Sequence, residues 1–315
     1  MDHFDAPLRS IVMTWAGSLA VVKYLHAKGC SVKSSDADKR TLLHVTDDPE
    51  TAKYLVANGA NIEAKTSERL TPLMTVATSR RLEVGKVLIE KGADVNFQVV
   101  PFGANNKESA LSLAAQNVEG LEMVKLLLEH GSRVDGAVVR GAATKGPLST
   151  LKYLVTEHRD KVDIDDINKS FVQASWRKIE ILLDAGGDPT IEVTASEVPY
   201  LLNPGYWRGD LDRHHVNFQG NSNSADEEGT LEHKRRVLKQ LVNLGIDVNA
   251  ANWEGRTALD FAAVKDAYGR WTREEMEEWI DLLKEFGAER TKGDKEEERS
   301  YGSSGDDDDD ESEDD

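Results

Sequence analysis

Two histidines beside two aspartates are the residues in this sequence whose types and spacing come nearest to a metal site. Asp210, Asp212 and the pair His214-His215 lie close together in the chain. A zinc site needs three or four convergent ligands on rigid elements. These residues instead belong to a polar stretch typical of a flexible loop. We therefore predict no bound metal, with a metal protein or enzyme built on this stretch as the alternative.

Motifs for other chemistry do not occur in the sequence. It contains no Gly-x-Ser-x-Gly, no phosphate-binding glycine-rich loop that ends in Lys-Ser or Lys-Thr, and no His-Glu-x-x-His. One cysteine, Cys30, excludes an internal disulfide and fits a reducing compartment. Its position after a glycine favours a small buried side chain over a reactive thiol. The prediction is a protein without catalytic residues and without cofactors.

The feature that organises the sequence is a recurring phrase of glycine, a small residue, an acid or amide, an aliphatic residue and a polar residue. Clear copies begin at Gly59, Gly92 and Gly245, and looser copies begin at Gly29, Gly131, Gly186 and Gly287. Each copy follows an apolar segment with helical spacing. A repeat of about 33 residues indicates a solenoid, because one helix pair cannot bury its own apolar faces and must stack on neighbours.

The best copy runs from Thr71 to Gly92. Thr71 can cap a helix, and Pro72 suits the first helical position. The pattern predicts a short first helix and a second helix over residues 82–90 whose apolar positions exceed one stripe. Gly92 is expected to end this helix in a left-handed conformation, which is least costly for glycine.

These residues resemble the ankyrin repeat family. The helix-opening motif Thr71-Pro72-Leu73 has counterparts at Thr41-Leu42-Leu43-His44, at Ala110-Leu111 and at Thr257-Ala258-Leu259, and the resemblance covers roughly residues 6–290. It implies an all-α repeat solenoid of about seven to eight repeats, several of them degenerate, with β-hairpin-like loops. It also implies that His44 links neighbouring turns by hydrogen bonds.

Uneven spacing of the glycines predicts the organisation of the chain. The predicted parts are a partial N-terminal capping repeat at 1–34, regular repeats at 35–135, degenerate repeats at 136–190, an insertion loop at 191–230, C-terminal repeats at 231–290 and a disordered acidic tail at 291–315. In the degenerate part, helix pairs are expected at 136–145 with 148–157 and at 167–174 with 179–184. Whether the insertion covers a binding surface, and whether the array was cut from a longer one, are left open.

Acidic residues dominate the charge. Residues 294–315 hold thirteen acids and two bases, a net −11, which leaves −7 of the total −18 for the other 293 residues. Nucleic acid is not the expected partner, because binding phosphates requires a clustered basic surface. The sequence has no apolar run of about 18 residues and no signal peptide, so we expect a cytoplasmic or nuclear monomer without membrane contact.

In ankyrin proteins, partners bind in a concave groove lined by hairpin tips and by the exposed ends of the first helices. Carrying those positions over gives the candidates Asp38, Arg40, Ser67, Glu68, Leu70, Thr78, Ser79, Phe102, Asn105, Asn106, Glu108, Gln116, Asn117, Trp253, Glu254 and Arg256. Trp253 and Arg256 stand out because Trp and Arg are enriched at binding hot spots. The alternative for Trp253 is packing against a neighbouring hairpin or the insertion.

The function that we expect from the resemblance is a non-enzymatic module that binds another protein through this groove. One alternative is the recognition part of a larger signalling or ubiquitin-ligase assembly. Another is a binder of basic proteins that acts through the acidic tail, because residues 306–315 are almost all Asp and Glu and cannot bury apolar surface to fold.

Overall fold

The computed structural model describes residues 18–100, 107–172, 174–203, 230–263 and 273–291. The chain divides into two compact units, residues 1–188 and residues 189–315. None of the helices in these described parts is long and apolar enough to cross a membrane.

The first unit is a stack of helix pairs. Its elements are α1 (Leu19–Ala27), α2 (Leu42–Val45), α3 (Pro49–Ala57), α4 (Pro72–Ala77), α5 (Leu82–Glu90), β1 (Gln98–Val99), β2 (Glu108–Ser109), α6 (Ala110–Gln116), α7 (Leu121–Glu129), α8 (Gly136–Thr144), α9 (Leu148–Glu157), α10 (Ile164–Asn168) and α11 (Trp176–Asp184). The even-numbered helices from α2 to α10 contact one another in sequence and form an inner row. The odd-numbered helices from α1 to α11 form an outer row in the same way. The predicted helical repeat solenoid is confirmed.

Local capping explains where the helices begin. The Asp48 carboxylate before α3 accepts the Thr51 N–H at 3.1 Å and the Thr51 hydroxyl at 2.6 Å. This hydroxyl bond is the main reason that the pKa of Asp48 lies below its ordinary value. Before α4, the Thr71 hydroxyl accepts the Met74 N–H at 3.4 Å, and Pro72 occupies the first position of the helix. Each such cap contributes about 1 kcal/mol to helix stability.

Glycines end the helices where the sequence predicted. The seven repeat glycines have positive φ values between 83° and 101°. At Gly92 the following N–H, that of Ala93, returns to the Leu88 carbonyl at 3.0 Å and closes the turn. α5 covers 82–90 as expected, and its apolar side chains are buried on both flanks because α3 and α7 pack against it.

Helix pairs persist in the degenerate part. α8 and α9 lie within a residue of their predicted bounds. α10 differs from the prediction of 167–174, because Asp163 caps it earlier by accepting the Asp165 N–H at 3.0 Å. Arg159 joins this region to the end of α11, since its Nε donates to the Ala185 carbonyl at 3.1 Å.

The second unit begins with helical structure that the sequence reading placed in an insertion loop. Its helices are α12 (Pro189–Glu192), α13 (Val198–Leu201), α14 (Leu231–Asn243), α15 (Ala258–Ala263) and α16 (Arg273–Glu285). α13 packs on α15, and α14 packs on α16, so α13 occupies the inner position of a repeat. The loop prediction for 191–203 therefore needs correction, because Leu201 and Leu202 are fully buried.

Asn203, at the end of this helical segment, explains why it is held in place. Its Nδ2 donates to the Ala258 carbonyl at 2.9 Å and to the Pro199 carbonyl at 3.0 Å. Its Oδ1 accepts from Trp279 Nε1 at 2.9 Å. One buried amide thus bonds to residues of three helical segments of the second unit.

Candidate partner-binding surface

Three turns between helix pairs share one backbone geometry and carry many of the predicted candidates. We call them tip 1 (36–40), tip 2 (66–70) and tip 3 (252–256). In tip 1 the Asp36 N–H donates to the Arg40 carbonyl at 2.9 Å, and the Lys39 N–H donates to the Asp36 carbonyl at 3.0 Å. Tips 2 and 3 repeat both bonds at 2.9–3.0 Å.

A side-chain oxygen at the first position of each tip makes a third bond. Asp36 Oδ1 accepts the N–H of Arg40 at 2.8 Å, and Thr66 Oγ1 accepts the N–H of Leu70 at 3.2 Å. In tip 3 the Asn252 Oδ1 accepts from the last residue of the turn at 2.9 Å. These closed turns are the hairpin-like loops that the resemblance implied, and an antiparallel bridge between Ser35 and Thr41 flanks tip 1. Among the described residues, only β1 and β2 form a paired ladder, in which Gln98 faces Ser109.

Tip 1 balances its own charges. Arg40 Nε lies 2.9 Å from Asp36 Oδ2, and Arg40 Nη2 lies 3.3 Å from Asp38 Oδ2. Burial tends to raise the pKa of Asp36, but the bonds from Arg40 outweigh it and hold that pKa below its ordinary value. Asp38 itself is exposed. Of the candidates at this tip, Arg40 is therefore engaged within the protein and Asp38 presents a carboxylate to solvent.

Tips 1 and 2 are joined to each other. The Ser67 N–H donates to the Asp38 carbonyl at 2.8 Å, across the boundary between two repeats. Ser67 and Glu68 are exposed, and Leu70 is half-buried. The two tips therefore form one edge with fixed spacing.

The side chain of His44 binds the backbone on both sides of tip 2 by hydrogen bonds. Its Nε2 donates to the Ala64 carbonyl at 3.1 Å and to the Leu70 carbonyl at 3.3 Å, as the resemblance implied. A carbonyl can only accept, so Nε2 carries the proton and Nδ1 accepts the Thr41 N–H at 3.0 Å. Burial lowers the pKa of His44, and the nearby Arg81 acts in the same direction. The imidazole is therefore a neutral structural link at neutral pH.

Arg81 supports the ends of the inner helices from the start of α5. Its Nη1 donates to the His44 carbonyl at 2.7 Å, and its Nη2 donates to the Thr75 carbonyl at 3.2 Å. Its Nε donates to Ser79 Oγ at 2.8 Å. Burial lowers the pKa of Arg81, and the charge of Asp47 partly offsets this effect. Ser79, a predicted contact residue, is thus engaged within the protein.

The remaining candidates at helix ends also carry internal bonds. Thr78 Oγ1 donates to the Thr75 carbonyl at 2.9 Å but remains exposed. Gln116 Nε2 donates to Glu108 Oε2 at 3.2 Å. Asn117 Oδ1 accepts a backbone N–H at 3.1 Å. Glu108 and Gln116 therefore satisfy each other, which makes them weaker candidates than Thr78.

Tip 3 lies in the second unit and presents Trp253. That side chain is 80% exposed, so the alternative in which it packs on a neighbouring element does not hold for the described residues. Asn252 Nδ2 donates to the Tyr200 hydroxyl at 3.0 Å and fixes the turn to α13. Arg256 Nε lies 3.7 Å from Glu254 Oε2. Tip 3 thus offers a large aromatic face beside a loose ion pair.

Several predictions fall on residues outside the described parts. These are the candidates Phe102, Asn105 and Asn106, the polar stretch Asp210 to His215, and the acidic tail. Within the described parts, no group of three or more His, Cys, Asp or Glu side chains is placed to hold a metal ion. Cys30 is buried, at 6% exposure, as the sequence predicted.

Two tip residues escaped the sequence reasoning. Lys39 in tip 1 has φ 59° and Arg69 in tip 2 has φ 69°, and Gly255 occupies the same position of tip 3 at φ 78°. An alignment of the three tips would have revealed two long basic residues at a position that favours glycine.

A family model for ankyrin repeats matches residues 10–99 and 46–137. Ankyrin repeat and KH domain-containing protein mask-1 of Caenorhabditis elegans is 34% identical over 136 residues, which are 41% of this chain and 5% of that protein. Human ankyrin repeat domain-containing protein 17 is 40% identical over 76 residues, 24% of this chain and 3% of the relative. Ankyrin repeat domain-containing protein M-T5 of Myxoma virus is 25% identical over 252 residues, 69% of this chain and 51% of the relative.

The chain thus spans only a small part of the length of the first two relatives and about half of the third. The repeat glycines, the two rows of helices and the histidine link at tip 2 agree with the matched family. This chain is an ankyrin repeat protein.

Proposed function

We propose that this protein binds a partner protein through its exposed tips, along the concave groove that such tips line in ankyrin proteins. Ankyrin repeats are in general protein-binding modules rather than enzymes. The tip backbones are fixed by hydrogen bonds before any partner arrives. Binding to such a preformed surface costs little ordering entropy, which favours affinity.

Trp253 is the observation that carries the proposal. A tryptophan that is 80% exposed on a hydrogen-bonded turn leaves a large apolar surface in water. Isolated apolar side chains at a surface are normal, but a rigid exposed Trp is the residue type most enriched at hot spots. Its position at a tip matches the position from which ankyrin proteins contact partners.

The test compares Trp253→Ala with Ile191→Ala as a matched control. Ile191 is 63% exposed in α12 of the same unit but lies outside the tips. Partners recovered by affinity capture from lysate would be titrated against wild type and both variants. A hot-spot tryptophan is worth about 2 kcal/mol or more, so Trp253→Ala should weaken binding roughly 30-fold. The control should change affinity by less than about twofold.

Affinity that is equal in Trp253→Ala and wild type would remove tip 3 from the binding surface. Phe102→Ala and Arg256→Ala test two further candidates in the same assay. If every tip variant retained every partner, the proposal that the tips bind partners would be wrong.

A second proposal assigns binding of basic proteins to the acidic tail, because residues 294–315 carry a net −11. Deletion of residues 306–315 should then abolish binding to a histone at low salt, and added salt should abolish it in wild type.

A third proposal makes the chain the recognition part of a larger signalling or ubiquitin-ligase assembly. Its support is that relatives such as mask-1 are many times longer. Co-purification of a ligase or kinase subunit with wild type but not Trp253→Ala would support it.

A further inference from the structure

Lys39 and Arg69 keep an unfavourable backbone conformation at equivalent positions of neighbouring tips. They are the only non-glycine residues with positive φ in the described parts of the chain. The left-handed region is disfavoured for residues with a Cβ, and glycine occupies this position in tip 3. Glycine would therefore satisfy the turn with less strain, so the turn itself does not explain two basic residues here.

Within the described parts of the chain, neither side chain is engaged. Both are exposed, and neither forms a hydrogen bond or ion pair through its side chain with another described residue. Arg40, one position after Lys39, differs because it pairs with Asp36 and Asp38. Each tip thus presents one basic side chain that no other described residue engages, although each tip has no net charge because Asp36, Asp38 and Arg40 sum to −1 and Glu68 contributes −1.

The stack fixes the spacing of the two tip backbones. The bond from Ser67 N–H to the Asp38 carbonyl joins the tips directly, and α2 packs on α4 beneath them. Packed helices lie about 8–10 Å apart. An extended chain rises about 3.3 Å per residue, so this spacing corresponds to about two to three positions along one strand.

We propose that Lys39 and Arg69 together bind an acidic segment of the partner protein in an extended conformation. The proposal deepens the proposed function and rests on it. Two carboxylates at this spacing would each meet a cation that no other described residue engages. Charge complementarity of this kind sets partner choice and association rate more than raw affinity.

The surrounding charges favour a peptide over a nucleic acid. Asp38 and Glu68 are exposed beside the two cations, and the chain carries a net charge of −18. A continuous row of phosphates would meet both carboxylates, and binding it requires clustered bases. A peptide can place acidic residues opposite the cations and neutral residues opposite Asp38 and Glu68.

The test uses the full chain with Lys39→Gly and Arg69→Gly combined. Glycine removes both charges and suits the backbone, so the melting temperature should stay the same or rise. The control combines Lys91→Gln and Lys152→Gln, which removes two positive charges from exposed sites of the same unit outside the tips. The control separates a local effect from a change in net charge.

The probe is a fluorescein-labelled peptide in which aspartate alternates with serine, and its counterpart has asparagine in place of aspartate. Anisotropy at about 20 mM salt avoids strong screening. We expect the aspartate peptide to bind wild type, the asparagine peptide not to bind, and the glycine variant to bind about tenfold more weakly. Two exposed ion pairs account for a loss of that size. The control variant should stay within about twofold of wild type.

Three results would overturn the proposal. These are no binding of the aspartate peptide to wild type, an equal loss in the control variant, and tighter binding of a single-stranded oligonucleotide than of the peptide. The same variants titrated against a captured partner separate this proposal from the preceding one. Loss of that partner with Trp253→Ala but not with the glycine variant leaves the tips as the binding surface and removes the two cations from it.

Discussion

Replacing His44 tests whether one neutral imidazole joins two repeats. The ring accepts the Thr41 N–H through Nδ1 and donates to the Ala64 and Leu70 carbonyls through Nε2. His44→Ala removes all three bonds, although the Leu70 carbonyl keeps its bond from the Thr66 N–H. Each lost bond costs about 1 kcal/mol, so the free energy of unfolding should fall by about 3 kcal/mol.

Two further substitutions each remove only some of the three hydrogen bonds of His44. In His44→Asn the amide oxygen can replace Nδ1 and keep the bond from Thr41, but the link to tip 2 is lost. In His44→Gln the amide nitrogen can replace Nε2 and keep the link to tip 2. By the same count, His44→Asn loses two bonds and should cost about 2 kcal/mol, whereas His44→Gln loses one bond and should cost about 1 kcal/mol. His130→Ala is the control, because His130 is exposed and should contribute less than about 0.5 kcal/mol.

The pH dependence supplies an independent readout. Burial lowers the pKa of His44 below 6.5, its value in model peptides, so the unfolded chain takes up this proton at higher pH than the folded chain. The stability from the neutral ring is therefore complete above pH 6.5 and is lost as the pH falls toward the folded pKa. The slope for one proton is at most about 1.4 kcal/mol per pH unit.

Urea unfolding followed by circular dichroism at pH 7.5 and pH 5.5 measures both effects. Wild type should lose more stability on acidification than His44→Ala, since only wild type must protonate the buried ring. Carboxylates with lowered pKa values, such as Asp36 and Asp48, titrate at more acidic pH. The reasoning is wrong if His44→Ala lowers the free energy of unfolding by less than about 1 kcal/mol. It is also wrong if the stability of His44→Ala falls with decreasing pH as steeply as that of wild type.

Two other predictions concern packing. Asn203→Leu removes a buried amide whose Oδ1 accepts a hydrogen bond from Trp279 Nε1 at 2.9 Å, so the free energy of unfolding should fall by about 3 kcal/mol. In the same urea titration, Trp279→Phe should lower the free energy of unfolding by about half as much. A Cβ at Gly120 would lie 1.8 Å from the Ala114 carbonyl oxygen, so Gly120→Ala should lower the melting temperature by about 5 °C or more. Gly85→Ala should lower the melting temperature by less, because its Cβ would meet the flexible end of a methionine side chain. Equal decreases in melting temperature for the two variants would contradict the steric reasoning.

The sequence predicted those parts of the fold that local chemistry decides. The bounds of α5 and the left-handed glycines followed from caps, apolar spacing and the cost of positive φ. The role of His44 followed from the family motif and is confirmed by its bonds. These features depend on residues within one repeat or its immediate neighbour, and the repetition itself supplies the evidence.

Long-range contacts decided what the sequence did not predict. α13 lacks the glycine and the helix-opening motif of a repeat, and it is held by Asn203 through a bond to Trp279, 76 positions away. The exposure of Trp253 depended on whether any element covers tip 3. The strain at Lys39 and Arg69 is a property of backbone angles, for which only comparison of the tips offered a signal. Partner binding by the tip residues stays a prediction.

Two inner helices carry opposite hydrogen-bonding groups at the same position, a donor at His44 and an acceptor at Asp260. His44 donates hydrogen bonds to two carbonyls of the next turn, whereas Asp260 in the last repeat accepts hydrogen bonds from the Thr291 N–H at 3.1 Å and from the Thr291 hydroxyl at 3.0 Å. A carboxylate at position 44 would face carbonyl oxygens and repel them. A repeat with a donor at this position therefore cannot simply be exchanged for one with an acceptor, and a duplication that brought the two types together would need a matching change in the turn that follows.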